Sequence, residues 1–297
     1  MSVIAEKNKE YISRQFRWIS SVSGDSTALA RLNERMTWFY GQAEGRELYQ
    51  TMLDTQEAEV PKDSVRHHMP RYVADSGALK VLEVGCGNGR LYRQIREYGY
   101  SGKYTGIEVA EYIIHGNQKR HPEAVWQAAL AYDIPFPDAS FDLCFSLYVL
   151  EHFVYPERAL TEMLRILRPG GKLVLVFPDF SASGRLPSQL FGYSEGPAMQ
   201  KIKKLHWIDA LVSLYDSRIR LPKALRQASN RFGSFPVNTA PICLQYPGVM
   251  ASDIDAVYIA SKEEVHQWAV DNGCQVDYPC GKDGEFKFQA FLTISKF

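Results

Sequence analysis

A glycine-rich turn at residues 81–90 constrains the fold of this chain more than any other segment. It reads Val81-Leu82-Glu83-Val84-Gly85-Cys86-Gly87-Asn88-Gly89-Arg90, and a helix-like segment follows it. Glycine has no Cβ, so the chain can turn sharply there and a ligand can lie against main-chain N–H groups. An apolar strand, a turn and a helix in this order predict the start of a doubly wound α/β sheet. Such sheets bind ligands at the carboxyl ends of their strands.

The next predicted strand ends in an acidic residue. This strand, 104–108, finishes at Glu108, which is 19 residues beyond Gly89. A carboxylate at the tip of the second strand can accept hydrogen bonds from the hydroxyls of a ribose. The glycine spacing is G-x-G-x-G, whereas the nicotinamide fingerprint is G-x-G-x-x-G. The pattern therefore predicts a nucleoside site that differs from the nicotinamide type.

Three further motifs follow the turn and Glu108 in a fixed order. They are Ile-Pro-Phe-Pro-Asp-Ala-Ser-Phe-Asp at 134–142, Leu-Glu-His at 150–152 and Arg-Ile-Leu-Arg-Pro-Gly-Gly at 165–171. Together these segments resemble the class I S-adenosylmethionine-dependent methyltransferases of the small-molecule, methyltransferase-11 or UbiE-like type. The resemblance implies S-adenosyl-L-methionine as the cofactor. It also implies a mostly parallel, seven-stranded, Rossmann-like sheet.

The pattern of predicted elements divides the chain into three parts. Residues 78–180 and 262–297 are predicted to form the methyltransferase core, and 1–77 an N-terminal helical cap. Residues 181–261 are predicted to be a helical insertion after the fifth strand that forms a lid over the acceptor. Within the cap, Trp38 or Tyr40 can pack in the core or cover the cofactor.

Helices are also predicted inside and after the insertion. Apolar residues recur there every three or four positions, at Met199, Ile202, Leu205, Ile208, Leu211, Tyr215 and Ile219. This spacing predicts helix, and Pro222 either ends the run or starts the next helix. A short extra strand is predicted over 255–260. Ser261 and Glu264 have capping-box spacing and predict the start of another helix.

The resemblance implies a role for each cofactor-binding position. The glycine turn would face the methionine part and Glu83 its ammonium group, while Glu108 would hold the ribose. Leu130 replaces an acid that relatives often have, and with Ala131 it would pack on the adenine. The predicted cofactor-binding residues are Glu83, Gly85, Cys86, Gly87, Gly89, Glu108, Val109, Leu130, Ala131, Ser146 and Leu147.

His152 is the predicted catalytic residue. Methyl transfer from a sulfonium is a direct displacement, so the protein mainly has to align donor and acceptor. A histidine after the fourth strand can act as the general base for an acceptor hydroxyl, and a structural role is the alternative. Some ubiquinone-pathway relatives hold a metal with an acid at the position of Tyr148. Glu151 and His152 without that acid make a poor cation site, and we predict no metal.

Charge and composition limit the partners. The 34 basic and 34 acidic residues cancel, so no overall field attracts nucleic acid or a membrane. The longest apolar run, 141–150, is half of the roughly 20 residues that a membrane helix needs. Five cysteines without a zinc pattern and a charged start favour a cytoplasmic protein with reduced thiols. The oligomeric state stays open.

The expected acceptor is a hydroxyl of a sugar or other natural product. N- or C-methylation of a small metabolite and a non-catalytic protein that binds S-adenosylmethionine are the alternatives. Residues 201–231 contain eight basic and two acidic residues. This local excess can attract an anionic acceptor, or it can be an ordinary solvated helix face.

Overall fold

The computed structural model describes residues 16–41, 49–50, 53, 64–246, 251–282 and 286–297. Tyr11, an aromatic residue of the predicted N-terminal helices, lies outside the described residues. The strands are β1 (Trp18–Ser20), β2 (Lys80–Val84), β3 (Lys103–Glu108), β4 (Val125–Ala128), β5 (Phe141–Leu147), β6 (Leu167–Pro178), β7 (Pro236–Asn238), β8 (Gln275–Asp277) and β9 (Gln289–Ser295).

The described helices pack on both sides of the main sheet and fill the insertion. They are α1 (Ser26–Gly41), α2 (Val65–Ala74), α3 (Arg90–Glu97), α4 (Glu111–Arg120), α5 (Pro156–Arg165), α6 (Phe180–Ser183), α7 (Ala198–Lys203), α8 (Trp207–Tyr215), α9 (Leu221–Arg226), α10 (Ala228–Phe232), α11 (Ile242–Gln245) and α12 (Lys262–Asp271). No helix within these described ranges is both apolar and long enough to span a bilayer.

Seven strands form the main sheet in the order β4-β3-β2-β5-β6-β9-β8. The first five of these pair in parallel, and β9 pairs antiparallel with β6 and β8. The prediction of a mostly parallel, seven-stranded, Rossmann-like sheet is confirmed. Chain order reverses on either side of β2, so the carboxyl ends of β2 and β5 form a crevice at the switch point.

Burial explains why the central strands read as continuous apolar runs. Val174, Leu175, Val176 and Phe177 of β6 are all fully buried, because helices cover both faces of a parallel sheet. Strand β6 starts at Leu167. The Pro-Gly-Gly run at 169–171, a sequence that often ends a helix and turns the chain into a strand, therefore lies inside this strand.

The N-terminal segment differs from the predicted helical cap at Trp18. Residues Trp18–Ser20 form a strand that pairs antiparallel with β7 of the insertion. The ring of Trp18 stacks on Phe16 and meets Phe232 edge-on, with centroids 4.7 and 5.2 Å away. Aromatic packing against a distant segment outweighs the local helical spacing here.

Three other local predictions are wrong in detail. The helix predicted through 199–219 is interrupted after Lys203 and ends in a π-helical turn, Asp216–Arg220. The strand predicted at 255–260 is a single bridge between Val237 and Tyr258. Helix α12 follows Ser261, but the Ser261 side chain makes no capping hydrogen bond.

The carboxylate expected in that capping box has another role. Glu264 accepts hydrogen bonds from the Phe235 N–H and the Tyr258 hydroxyl, both at 2.8 Å. Both donors belong to segments that precede α12 by at least three residues in the chain. Glu264 therefore ties the end of the insertion to the core, a contact that the local motif does not reveal.

Candidate active site

One cavity opens at the carboxyl ends of β2, β3 and β5. Ten of the twelve predicted site residues line it: Glu83, Gly85, Cys86, Gly87, Glu108, Val109, Leu130, Ala131, Leu147 and His152. The two others lie behind its wall. Gly89 faces Trp126, since a Cβ at Gly89 would be 2.9 Å from the Trp126 ring. Ser146 is fully buried in β5.

The glycine turn is held to the end of β3 by its own main chain. The N–H groups of Gly85 and Cys86 donate to the Ile107 carbonyl at 2.9 and 3.0 Å, and the Gly87 N–H donates to the Glu108 carboxylate at 3.2 Å. These three N–H groups already donate within the protein, so they do not contact a ligand as the sequence predicted. Gly85 has φ +73°, a left-handed conformation that favours glycine.

Glu108 is anchored from several sides. Its carboxylate accepts hydrogen bonds from the N–H groups of Val109 and Ala110 at 3.0 and 3.3 Å, and from the Tyr49 hydroxyl at 3.3 Å. Burial raises the pKa of Glu108, and these hydrogen bonds partly offset that rise. The strand tip thus presents a carboxylate with a fixed orientation to the cavity.

Glu83 is a second buried acid at the turn. The Tyr104 hydroxyl donates to its carboxylate. Burial raises the pKa of Glu83 to about 8, although the hydrogen bond from Tyr104 lowers it. Near neutral pH the group is therefore largely uncharged, and a cation that binds beside it would favour its ionised form.

A polar cluster around His152 lies at another wall of the cavity. His152 Nδ1 is 3.6 Å from Asp255 Oδ2, and His152 Nε2 is 3.9 Å from Glu151 Oε1. Tyr40 donates a 3.0 Å hydrogen bond to Asp255 Oδ2. Within the described part of the chain, both Glu151 oxygens, His152 Nδ1 and Asp255 Oδ1 are buried without a hydrogen-bond partner. Such groups are costly unless a ligand or solvent satisfies them.

The comparison with family models decides the identity of the core. The model described as "Methyltransferase domain" matches residues 82–175, which contain the turn, Glu108 and His152. The chain carries a class I S-adenosylmethionine-dependent methyltransferase domain. The prediction of this family is confirmed, and S-adenosylmethionine is the cofactor of the domain.

Characterised relatives align with the methyltransferase domain only in part. O-methyltransferase cnsE from Penicillium expansum is 30% identical over 124 residues, which are 40% of this chain and 45% of that protein. Ubiquinone/menaquinone biosynthesis C-methyltransferase UbiE from Roseobacter denitrificans is 30% identical over 145 residues, or 46% of this chain and 52% of UbiE. The chain spans about half the length of these relatives.

Solved structures align over more of the chain at lower identity. A crystal structure of an S-adenosylmethionine-dependent methyltransferase from Mesorhizobium loti covers 80% of this chain and 100% of its own length. The sequence identity is 14% and the TM-score is 0.49.

The residues of the methyltransferase domain fit S-adenosylmethionine at two charged points. Glu83 lines the cavity as a buried acid whose ionised form requires a cation, as the ammonium group of the methionine part provides. Glu108 lines the same cavity as a fixed acceptor for the ribose hydroxyls. These placements remain proposals for the individual residues.

We expect Glu108→Gln to weaken S-adenosylmethionine binding by about 1.5–3 kcal/mol, the range for a hydrogen bond to a charged group. Calorimetric titration measures the change. Glu108→Gln keeps one of the two oxygens that accept from the surrounding N–H groups, whereas Glu108→Ala removes both. Glu111→Gln, an exposed acid three residues away, is the matched control. An unchanged dissociation constant for Glu108→Gln would contradict the ribose assignment.

The surroundings of His152 bear on its predicted role. Burial alone would lower the pKa of His152, but the carboxylates of Asp255, Glu151 and Asp253 outweigh burial and raise it to about 9. A raised pKa favours the imidazolium, which cannot accept a proton. The role of general base, predicted from an unperturbed pKa, needs the neutral imidazole and stays a prediction.

The pH dependence of stability tests this charge. The folded-state pKa of His152 is raised above 6.5, so its stabilisation is present below pH 6.5 and is lost as pH rises through about 9. We expect the free energy of unfolding to fall across this interval, and to fall less in His152→Gln. Denaturant unfolding at both ends of the interval measures it, with the exposed His115→Gln as control. Equal falls in the protein and in His152→Gln would contradict the assignment.

The structure adds a third group to the pair considered for metal binding. Ligand atoms of Glu151, His152 and Asp253 lie within 4.8 Å of one another. Two carboxylates and one imidazole can hold a divalent cation, although a protonated His152 competes with it. We still expect turnover to survive dialysis against a chelator, because methyl transfer needs no metal. Loss of turnover that Mg²⁺ or Zn²⁺ restores would instead make these three residues a metal site.

Sequence reasoning missed two residues of this site, Tyr49 and Asp255. Both line the cavity together with Tyr40, and the Tyr40 and Tyr49 rings meet edge-on with centroids 5.0 Å apart. They form a continuous contact from Glu108 through both tyrosines to Asp255. Tyr40 thus lies at the cavity, in agreement with the prediction that Trp38 or Tyr40 could cover the cofactor. Trp38 is exposed and does not line the cavity.

The basic residues of the insertion lie away from the cavity. None of the eight in 201–231 lines it, and Asp255 is the insertion's contribution among the described residues. Lys201 is buried against Asp209, and Arg220 pairs with Asp216 at 2.6 Å. The charge excess therefore gives no reason to expect an anionic acceptor.

Proposed function

We propose that this chain transfers a methyl group from S-adenosylmethionine to a hydroxyl of a small molecule, such as a sugar or another natural product. One observation carries the proposal. The glycine turn and Glu108 share a cavity with Asp255, a buried carboxylate that has one oxygen without a hydrogen-bond partner. A methyl donor bound at the turn would then share one cavity with a group that can accept a proton.

Asp255 is the group best placed to receive the proton. Tyr40 donates to its Oδ2 atom, and Oδ1 is the buried oxygen that has no hydrogen-bond partner among the described residues. As the oxygen–carbon bond forms and the carbon–sulfur bond breaks, the hydroxyl proton would pass to Oδ1. His152, whose Nδ1 atom is 3.6 Å from Oδ2, lies on the other side of this carboxylate.

N-methylation is the second candidate, and a specific observation favours it. Three acids, Glu151, Asp253 and Asp255, surround the single imidazole of His152. Burial raises the pKa of Glu151 to about 8, so Asp255, which lines the cavity, is the acid that could hold a protonated amine there. The amine must lose its proton before methylation, so this function needs a base as well.

The relatives support methyl transfer and differ in the atom methylated. Their names include an O-methyltransferase and a C-methyltransferase, at about 30% identity. They align with roughly half of their own length, and the acceptor of this chain therefore has to be found by experiment. A cytoplasmic location remains part of the proposal.

An acceptor screen tests the function. We would incubate the protein with S-adenosylmethionine and matched pairs of alcohols and amines on the same carbon skeleton, and measure S-adenosylhomocysteine release. If the proposal is right, each alcohol gives more S-adenosylhomocysteine than the amine with the same carbon skeleton. The reverse order would favour N-methylation. Tight binding of S-adenosylmethionine without release from any acceptor would favour a non-catalytic binding protein.

A further inference from the structure

Helices α7 and α8 of the insertion show an inverted amphipathic arrangement. The buried residues of α8 are Asp209, Ala210 and Ser213, two of which are polar. The large apolar residues of the same region are exposed: Met199, Leu205, Trp207, Ile208, Leu211, Leu214, Tyr215 and Ile219. In an ordinary surface helix the apolar stripe faces the protein. Here the periodic apolar face points away from it.

Buried polar contacts hold the helices in this orientation. Lys201, which is 1% exposed, donates to the Phe191 carbonyl, to Asp209 at 3.2 Å and to Ser213 at 3.4 Å. The Tyr193 N–H and the Ser194 hydroxyl also donate to Asp209. Burying a lysine is costly unless it is paired. In this region a lysine is buried, whereas the apolar side chain of Ile208 is 76% exposed to solvent.

The exposed surface of this region is cationic. Both of its acidic residues, Asp209 and Asp216, are buried and bound to Lys201 and Arg220. The exposed charged side chains of 198–231 are therefore basic: Lys203, Lys204, Arg218, Lys223, Arg226 and Arg231. The run 203–208 joins α7 to α8, is exposed at every residue and reads Lys-Lys-Leu-His-Trp-Ile.

We propose that this face binds the surface of an anionic lipid bilayer. The face consists of the eight apolar residues and the exposed basic residues between them in the chain, Lys203, Lys204 and Arg218. Apolar side chains that include tryptophan, flanked by lysine and arginine, suit the boundary between headgroups and acyl chains. A second copy of this chain fits less well, because a self-complementary contact would bring like charges together. The proposal goes beyond the methyltransferase function and does not depend on it.

From the sequence we expected no membrane contact, on the basis of the net charge and the length of the apolar runs. A net charge of zero and short apolar runs exclude a global field and a spanning helix. Neither quantity reveals which side of a helix faces the solvent. Peripheral binding needs only a local face, and the folded arrangement of 198–219 provides it.

Vesicle co-sedimentation of the full chain, without cofactor or acceptor, tests the proposal. We expect binding to phosphatidylcholine vesicles that contain phosphatidylserine, weaker binding to phosphatidylcholine alone, and weakening with added NaCl. The pair Lys203→Glu and Lys204→Glu should reduce the binding by roughly tenfold or more. Leu205→Ser with Ile208→Ser should also reduce it. Methyl transfer to a water-soluble acceptor should be unchanged in both double variants.

Matched controls lie on other surfaces. Leu79→Ser removes an equally exposed leucine, and Lys103→Glu with Lys119→Glu reverses two exposed charges elsewhere. These variants should bind vesicles as the parent does. Absence of binding by the parent, or equal loss in the controls, would overturn the proposal. A dimer that Leu205→Ser with Ile208→Ser dissociates, seen by light scattering without vesicle binding, would assign the face to a second copy and also overturn it.

Discussion

Gly85→Ala is expected to lower the affinity for S-adenosylmethionine by about tenfold or more, because relief of an overpacked contact, which costs about 1–3 kcal/mol, displaces the turn beside the cofactor. A Cβ at this position would lie 2.5 Å from Val149 Cγ2 and 2.6 Å from Cγ1. Both residues line the cavity, so the turn or the segment after β5 has to move. The Gly85 N–H would then lose its bond to Ile107, which ties the turn to β3.

Gly77→Ala separates this effect from backbone strain. Gly77 has the same φ of +73°, but a Cβ there would meet nothing within 4 Å. Both variants should lose about 1–2 kcal/mol of unfolding free energy from the left-handed conformation. Gly85→Ala should lose about 1–3 kcal/mol more from overpacking. For both variants, calorimetric titration measures the cofactor affinity and denaturant unfolding measures the free energy of unfolding. Equal cofactor affinity in the two variants would show that the turn does not position the cofactor.

Asp255→Asn is expected to lower turnover by about 10²–10⁴-fold, the range for a group that transfers a proton. The asparagine keeps the size of the side chain and removes its ability to take the acceptor proton. It also removes a carboxylate that raises the pKa of His152, so the pH profile of turnover should change. The affinity for S-adenosylmethionine should stay the same, because Glu83 and Glu108 are untouched.

Asp253→Asn is the matched control for this prediction. It removes a neighbouring negative charge that also raises the pKa of His152, but Asp253 does not line the cavity. Its turnover should fall by much less than that of Asp255→Asn. Initial rates at saturating cofactor measure both variants. Equal turnover in Asp255→Asn and the parent would remove Asp255 from the reaction, and equal losses in both variants would reduce its role to local charge.

The sequence predicts well those site residues whose positions depend only on neighbouring segments of the chain. The glycine turn and Glu108 lie at the ends of consecutive strands, and a parallel sheet brings these ends together whatever the rest of the chain does. Ten of the predicted site residues therefore reach one cavity. Gly89 is the exception within the turn, because Trp126 of β4 packs where its ligand was expected.

The residues that sequence reasoning missed depend on contacts between distant segments. Asp255 lies 103 positions after His152, and nothing near either residue indicates that they meet. The raised pKa of His152 follows in part from that contact, and so it could not be predicted from the sequence. Glu264 shows the same limit, since its partners come from the insertion and not from its own helix start.

Periodicity has a further limit in the insertion. The spacing at 199–219 predicts helix because apolar residues recur on one side, and most of this region is helical. The same spacing arises whether that side faces the protein or the solvent. Only the buried Lys201 and Asp209 show which side turns inward.

A crystal structure with S-adenosylhomocysteine would locate the cofactor product atom by atom. We expect the ribose hydroxyls within hydrogen-bond distance of the Glu108 carboxylate, the amino group beside Glu83, and the sulfur facing Asp255 and His152. A nucleoside bound elsewhere, or bound here with its sulfur turned away from Asp255, would contradict this arrangement.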